Sequence, residues 1–455
     1  MTVKLRLEDV VLPEISGPLG IHEKNSSYFS TPEGEAQVLV GPHTWDSLQD
    51  WNFGGPAFDF PAYLDLLERH GCNHCRLWHW ESPKFSFQGV TPDTDIQPLP
   101  WRRKANGKFD LFRFEDAYFD RLRERVEMAL ERNIYVAVML FQEYVDWNTH
   151  PLNGANNDSG VNAGPDELHS LDASNAVLGR QEAFVGQVIE RVDDLPNVLY
   201  EICNELSVGS VDWQKEVRRW IGQRSDRLIN ANTGFGAGSV SFQDLLTVGS
   251  DVVSFPWAGN SFDFNVPGFR DEGLPIIDDS DHQNHWLFTS GRRKRRDAVW
   301  KSFSLGGNAW QMEATQNELP EFDDLTVGNQ SYVAGRDSMG FVHAWAQRLR
   351  FERFRFGGER SSTGYCLCRV KNKNRGELLV YKPNGIRNVT VDLTGLTGEL
   401  EVEWFRCTTG RIEADEETVS GGASVTLRSP WKNETVLYLA DTRVEGNDWP
   451  PGWVS

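Results

Sequence analysis

Asn197-Val-Leu-Tyr-Glu-Ile-Cys-Asn-Glu205 is the stretch on which the fold turns. It is apolar on both faces, as a strand buried inside a parallel sheet must be, and it runs straight into an amide and a carboxylate. Two other stretches have the same form: Ile-Tyr-Val-Ala-Val-Met-Leu-Phe at 134–141, and Leu-Pro-Ile-Ile-Asp-Asp at 274–279. The segments between them are amphipathic with a period near 3.6, as in Phe119, Leu122, Val126 and Leu130 on one helical face. Working outward, strands are expected at 36–41, 74–80, 134–141, 197–205, 229–233, 251–256, 274–279 and 308–313, and helices at 60–69, 114–132, 183–192, 213–228, 295–305 and 333–351. Eight strands alternating with helices over roughly 320 residues suit an α/β fold of the closed (β/α)8 type, a TIM barrel with long loops, whose usual size is about 250 residues. The competing architecture is a doubly wound open sheet, whose first strand ends in a Gly-rich phosphate turn. Here the first strand ends Gly41-Pro-His-Thr-Trp45, which is no such turn.

After Gly357 the pattern changes. Short alternating strands at 377–381, 389–393, 400–404, 423–427 and 435–439 are separated by turn signals such as Lys382-Pro-Asn-Gly and Ser420-Gly-Gly. They predict a small antiparallel β-sandwich of about 80 residues. The expected division is therefore a lead-in packed on the barrel (1–35), the barrel (36–356) and the C-terminal sandwich (357–455). The link at Gly357-Gly358 is short, so the sandwich is expected to pack rigidly on the barrel.

Composition narrows the function. The chain has 455 residues, 39% hydrophobic and 25% charged, which excludes wholesale disorder. Its net charge of −20 disfavours a nucleic-acid partner, which calls for a basic face. No apolar run approaches the roughly 18 residues of a membrane span. The N-terminus shows no apolar signal core, and the six cysteines read as reduced thiols, so a cytoplasmic location is expected. Cys72-Asn-His-Cys75 has no second pair nearby to complete a zinc site. The 17 Trp are the unusual number, because clustered indoles beside polar groups form stacking platforms for flat ligands.

In a barrel, function sits where strands end. Strand four ends Asn204-Glu205, with Cys203 and Glu201 on the face of Glu205, and Glu201 low enough to be a buried core carboxylate. Strand seven ends Asp278-Asp-Ser-Asp-His282; period two puts Ile277, Asp279 and Asp281 on one face and Asp278 and Ser280 on the other. Carboxylates facing each other from strands four and seven are what glycosidic-bond cleavage needs, one donating a proton and the other attacking carbon or activating water. Asp279, Asp281 and His282 also have the form of a metal-ligand set, though no His cluster from other strands accompanies them. Arg76, Trp78 and Trp80 share a face of strand two. His43 and Trp45 follow strand one, Gln142 and Glu143 strand three, Trp257 strand six, and Trp310 and Glu313 lie on strand eight; all are candidates to line a site. The loop with Asn148, His150, Asn153, Asn156 and Asn157 either binds hydroxyls or is plain turn chemistry. The run Arg292-Arg-Lys-Arg-Arg296 reads as a solvated helix start.

Asn204-Glu205 closing a Leu-Tyr-Glu-Ile strand resembles the acid/base signature of clan A retaining glycoside hydrolases, the cellulase-like (β/α)8 enzymes. Several stretches are similar to a group of largely uncharacterised bacterial glycoside hydrolases: 44–50, 76–78, 118–122, 135–141, 197–205, 279–282 and 299–303. The opening Val40-Gly-Pro-His-Thr-Trp45 is similar to the first strand of apiosidase-like barrels. The resemblance runs over about residues 15–440, and such proteins often carry a small collagen-binding-like β-domain. It implies an oligosaccharide or glycoside substrate, no cofactor, Glu205 as acid/base, Asn204 beside the sugar, and Arg76 hydrogen-bonded to a strand-seven nucleophile. The clan's nucleophile is a Glu. This chain has Asp, one methylene shorter, with Asp279 nearest the matching position and Asp281 two residues on. Two other readings stay open: a barrel that binds sugar without cutting it, and a metal-dependent hydrolase using Asp279, Asp281 and His282.

Overall fold

The computed structural model describes residues 2–50, 57–85, 95–206, 208–233, 240–254, 273–279, 292–313, 330–371 and 375–442. Eight parallel strands form the central sheet: β1 (Val40–His43), β2 (His74–Leu77), β3 (Tyr135–Gln142), β4 (Val198–Asn204), β5 (Ile229–Asn232), β6 (Val252–Ser254), β7 (Ile276–Asp279) and β8 (Asn308–Met312). Their hydrogen-bonded order is β1-β8-β7-β6-β5-β4-β3-β2. β1 and β2 close the ring through Asn73: its backbone N–H donates to Val40 O (3.1 Å), and its side chain accepts from Val40 N (3.0 Å) and donates to Val38 O (2.8 Å). The strands come so close here that a Cβ on Gly41 would lie 1.8 Å from the His74 carbonyl oxygen, so only glycine fits. The expected (β/α)8 barrel is thus the fold found.

Among the described residues seven α-helices accompany the strands: α1 (Phe60–Arg69), α2 (Asp116–Leu130), α3 (Asn175–Val192), α4 (Val211–Gly222), α5 (Phe242–Leu246), α6 (Arg292–Ser304) and α7 (Gln330–Arg348). Asp59 caps α1 by accepting from Ala62 N, and Ser174 caps α3 through Val177 N. The outward residues of the strands, among them Val136, Val138, Tyr200 and Ile276, join Phe119, Leu122, Val126, Phe184 and Val188 of the helices in one core. Each such buried side chain contributes roughly 1.5–3 kcal/mol. Among the described residues no helix is long and apolar enough to cross a membrane.

The barrel interior has two layers. At the N-terminal ends of the strands, Leu39, Tyr135, Ala137, Leu199, Val252, Ile277 and Trp310 form an apolar floor, joined from below by Ile15, Leu19 and Phe29. One step toward the C-terminal ends the interior becomes polar, with Arg76, Glu201, Asn232 and Asp279 all buried.

The C-terminal domain comprises β9 (Arg355–Phe356), β10 (Cys366–Lys371), β11 (Arg375–Lys382), β12 (Asn388–Asp392), β13 (Glu399–Arg406), β14 (Arg411–Ala414), β15 (Val419–Ser420), β16 (Ser424–Arg428) and β17 (Thr435–Asp441). The main sheet runs β14-β13-β17-β11-β10-β9, and β12 pairs with β16 in a second layer. Both faces of the main sheet are covered. Leu378, Val380, Val402, Trp404, Leu437 and Leu439 meet Val389 and Val391 of the second layer. Tyr381, Phe405 and Tyr438 face the barrel, against Trp300 of α6 and Trp345 of α7, with Arg348 paired to Glu403.

The N-terminal segment divides between the two domains. Residues 15–29 contribute to the barrel floor, but Thr2–Lys4 adds an edge strand to β14 of the C-terminal sheet.

Candidate active site

Glu205 owes its position to an irregularity. Leu199 and Glu201 of β4 point inward by period two, but Ile202 and Cys203 then both pack outward, with the register to β3 unchanged at Cys203↔Phe141 and Asn204↔Gln142. Cys203 and Phe141 therefore join the outer core, with Phe141 against Phe184 and Trp213. Asn204 faces inward, where its Oδ1 accepts from Arg76 Nη2 at 2.8 Å. This corrects the strict alternation that grouped Cys203 with Glu201 and Glu205. Glu205 follows with φ 55°, in the left-handed region. Among the described residues the only other non-glycine there is Asn133, a residue type that tolerates it. For a glutamate the conformation costs roughly 1–2 kcal/mol. It is held in place by Asn232 Oδ1, which accepts from Glu205 N at 3.4 Å. Burial raises the half-buried Glu205 carboxyl to about 7. A hydrogen bond from Tyr144 opposes the rise, the Asp279 and Glu143 carboxylates add to it, and Arg76 opposes it.

Across the mouth, Arg76 organises a buried ion cluster. Its Nε donates to Glu201 Oε2 (2.8 Å), its Nη2 to Glu201 Oε1 and Asn204, and its Nη1 to Asp279 Oδ2 (3.3 Å). Asn232 Nδ2 donates to Glu201 Oε1 (3.0 Å), and His43 Nε2 lies 3.1 Å from Asp279 Oδ1. The strand-seven alternation holds: Ile277 and Asp279 face in, while Asp278 faces out to Ser302 on α6. Burial pulls the His43 imidazole below its ordinary pKa, against the pull of Asp279, so the neutral ring is favoured.

Trp45, Trp78 and Trp80 cluster with Met139 and Met312 beside these charges. The Arg76 guanidinium lies 4.7 Å over the Trp78 ring, and the His43 imidazole stacks on the same indole with ring centroids 5.8 Å apart. Gln142, opposite Asn204, is fully buried at the same end of the barrel, and Glu143 is half-exposed, 3.8 Å from His169.

Two candidates lie elsewhere. Trp310 is in the floor, stacked on His74 at 4.1 Å, so its ring is a core ring. Glu313 faces away from the mouth: Met312 before it points inward, and Glu313 turns out to pair with Arg336 of α7 at 2.5 Å. Trp257, Asp281 and His282 lie outside the described residues. The loop asparagines chiefly hold their own backbone, Asn157 donating to Pro151, Asn153 and Val161 carbonyls. In the basic run, Arg295 donates to Met312 O and Arg296 pairs with Glu434 of the β-domain.

Two contributors escaped the sequence reading. Tyr144 follows the strand-three end by two residues, is 49% exposed and hydrogen-bonds Glu205. Asn232 ends β5 and ties Glu201 to the Glu205 backbone; an amide at a strand end on the inward face was its available signal. Among the described residues no three His, Cys, Asp or Glu side chains are grouped so as to hold a metal ion.

The arrangement brings a carboxyl whose pKa is raised to about 7 to the same end of the barrel as a carboxyl group held by Arg76 and His43. No family model and no curated protein matches the chain. Solved structures share its fold. A glycoside hydrolase family 5 protein from Bacteroides vulgatus superposes with TM-score 0.67 at 14% identity, covering 97% of each chain. A protein described as a glycoside hydrolase gives 0.64 at 13%, covering 94% of this chain and 98% of its own. A family 5 mannosidase from Rhizomucor miehei gives 0.51 at 11%, covering 74% of this chain and all of its own.

Proposed function

We propose that the chain is a glycoside hydrolase that cleaves O-glycosidic bonds, with Glu205 as general acid/base. The observation that carries this is Glu205 itself: a carboxyl raised to about 7, in a strained backbone conformation at the end of β4, sharing the barrel mouth with Asp279. Protonated, it delivers a proton to the leaving oxygen; ionised, it then draws one from water. The solved structures of like fold, described as glycoside hydrolases, support the reading.

Asp279 is the partner carboxylate in this reading. Regular β-structure holds it, Arg76 and His43 grip both of its oxygens, and it attacks the anomeric carbon so that configuration is retained. Hydrolysis of a panel of nitrophenyl glycosides and polysaccharides by the parent protein, and its loss in Glu205→Gln with the fold intact, tests the activity. A sugar-binding barrel that does not cut would hydrolyse nothing in either form. NMR of the first-formed product anomer tests retention; an inverted anomer would make Asp279 a general base. If Asp279→Asn stays active and Asp281→Asn is dead, the roles of the two aspartates are exchanged.

A further inference from the structure

Buried polar atoms in folded proteins nearly always have partners, and leaving one without a partner destabilises the fold. At the C-terminal end of this barrel three neighbouring strands break that rule together. The Nδ1 of His43 (after β1), the Nε1 of Trp78 (after β2) and both amide atoms of Gln142 (end of β3) are buried with no hydrogen-bond partner among the described residues. They form a continuous arc. His43 stacks on Trp78, Trp78 lies under Arg76, Arg76 bonds Asn204, and Asn204 stands opposite Gln142. Gln142 faces inward with its ladder partner Asn204, since paired residues of neighbouring strands share a face.

The chemistry of the unpaired atoms is mixed. With His43 Nε2 donating to Asp279, its Nδ1 offers a lone pair. Trp78 Nε1 offers only a proton, and the Gln142 amide offers one of each. A sugar hydroxyl both donates and accepts, so adjacent hydroxyls satisfy such a set. A carboxylate only accepts, and it would meet Glu143, Glu201, Glu205 and Asp279 around a guanidinium already bonded to three side chains. We propose that His43, Trp78 and Gln142 read the hydroxyls of an uncharged sugar ring, and that the site selects neutral sugars against uronic acids. This rests on the carbohydrate reading of the site.

The test uses the full chain carrying Glu205→Gln, so that binding is seen without turnover. Cellobiose, mannobiose, xylobiose and digalacturonic acid are titrated, following indole fluorescence and saturation-transfer NMR. At least one neutral disaccharide should bind, and digalacturonic acid should not. Adding Gln142→Met, similar in length but without the amide, should weaken binding roughly tenfold, and Trp78→Phe several-fold. Gln142→Met should also leave the melting temperature unchanged or raise it, whereas a structural role predicts a fall. Binding to no neutral probe, equal binding of digalacturonic acid, variants that bind like the parent, or a lower melting temperature in Gln142→Met would each overturn the proposal. Hydrolysis by the unmutated protein is scored separately. Gln142-dependent binding without hydrolysis sinks the hydrolase reading alone, and hydrolysis with Gln142-independent binding sinks this one alone.

Discussion

The floor and the mouth of the barrel are built from the same strands, a few residues apart, and they obey opposite rules. In the floor, Leu199, Val252 and Ile277 interlock and even His74 is stacked against Trp310. In the mouth, one Arg76 is shared by Glu201 and Asp279, a glutamate sits in a backbone region it disfavours, and charged side chains are buried together. The floor is arranged for stability. The mouth carries several features that oppose it, the pattern expected where structure is kept for chemistry.

Substitution on either side sharpens or breaks that contrast. The largest effect expected is on rate: Glu205→Gln should lower kcat/KM by about 10²–10⁴-fold with no loss of melting temperature. Glu205→Gly, which relieves the positive φ, should be equally inactive yet at least as stable, as thermal denaturation would show. Arg76→Ala crosses the boundary between the two behaviours. It leaves Glu201 and Asp279 buried without their cation, so a loss of about 3–5 kcal/mol in urea unfolding should accompany the loss of activity. In the floor, Leu199→Ala should cost about 2–5 kcal/mol while the folded fraction keeps its kcat. A large drop in kcat there would break the division.

The smallest effect is a shift along the pH axis. Between the ordinary glutamate value of 4.5 and about 7, the folded state keeps a proton on Glu205 that the unfolded chain has released. This group's contribution to stability is therefore present at low pH and lost as pH rises through that window, and Glu205→Gln should remove that slope. The same ionisation removes the acid, so kcat/KM should fall on the alkaline side near pH 7. Tyr144→Phe takes away the hydrogen bond that favours the ionised form and should move that limb to higher pH.

Regular segments were readable in advance. On β7 period two assigned Ile277, Asp278 and Asp279 to their proper faces because that strand alternates without a break. On β4 the same rule failed after Glu201, since Ile202 and Cys203 both pack outward with the register to β3 unchanged, and such a break leaves no mark in a one-dimensional pattern. Helix α3 begins at Asn175, not 183, because its buried face includes Gln181. That side chain is satisfied by Leu168 O and the Trp213 indole, so a polar letter sits where an apolar one was sought. The hairpin Trp101–Arg103 with Phe109–Phe114 was missed although Asn106-Gly107 marks a turn, since its second strand leaves Phe112 exposed and so breaks the alternation. Glu313 was legible in principle: an inward Met312 requires an outward neighbour. Tyr144 was not, for its role comes from a contact across a strand boundary.

The pairing of Thr2–Lys4 with Arg411–Ala414 bears on how the molecule is made. Most barrel strands find partners that leave the ribosome next to them in order. This edge strand must wait, unpaired, until the distant segment Arg411–Ala414 has emerged, and only then is this pairing made. A tension applied to Thr2–Lys4 is likewise borne first by the C-terminal sheet. A protease that trimmed those few residues would uncover the backbone donors and acceptors of Arg411–Ala414, an open template on which a second molecule can add a strand.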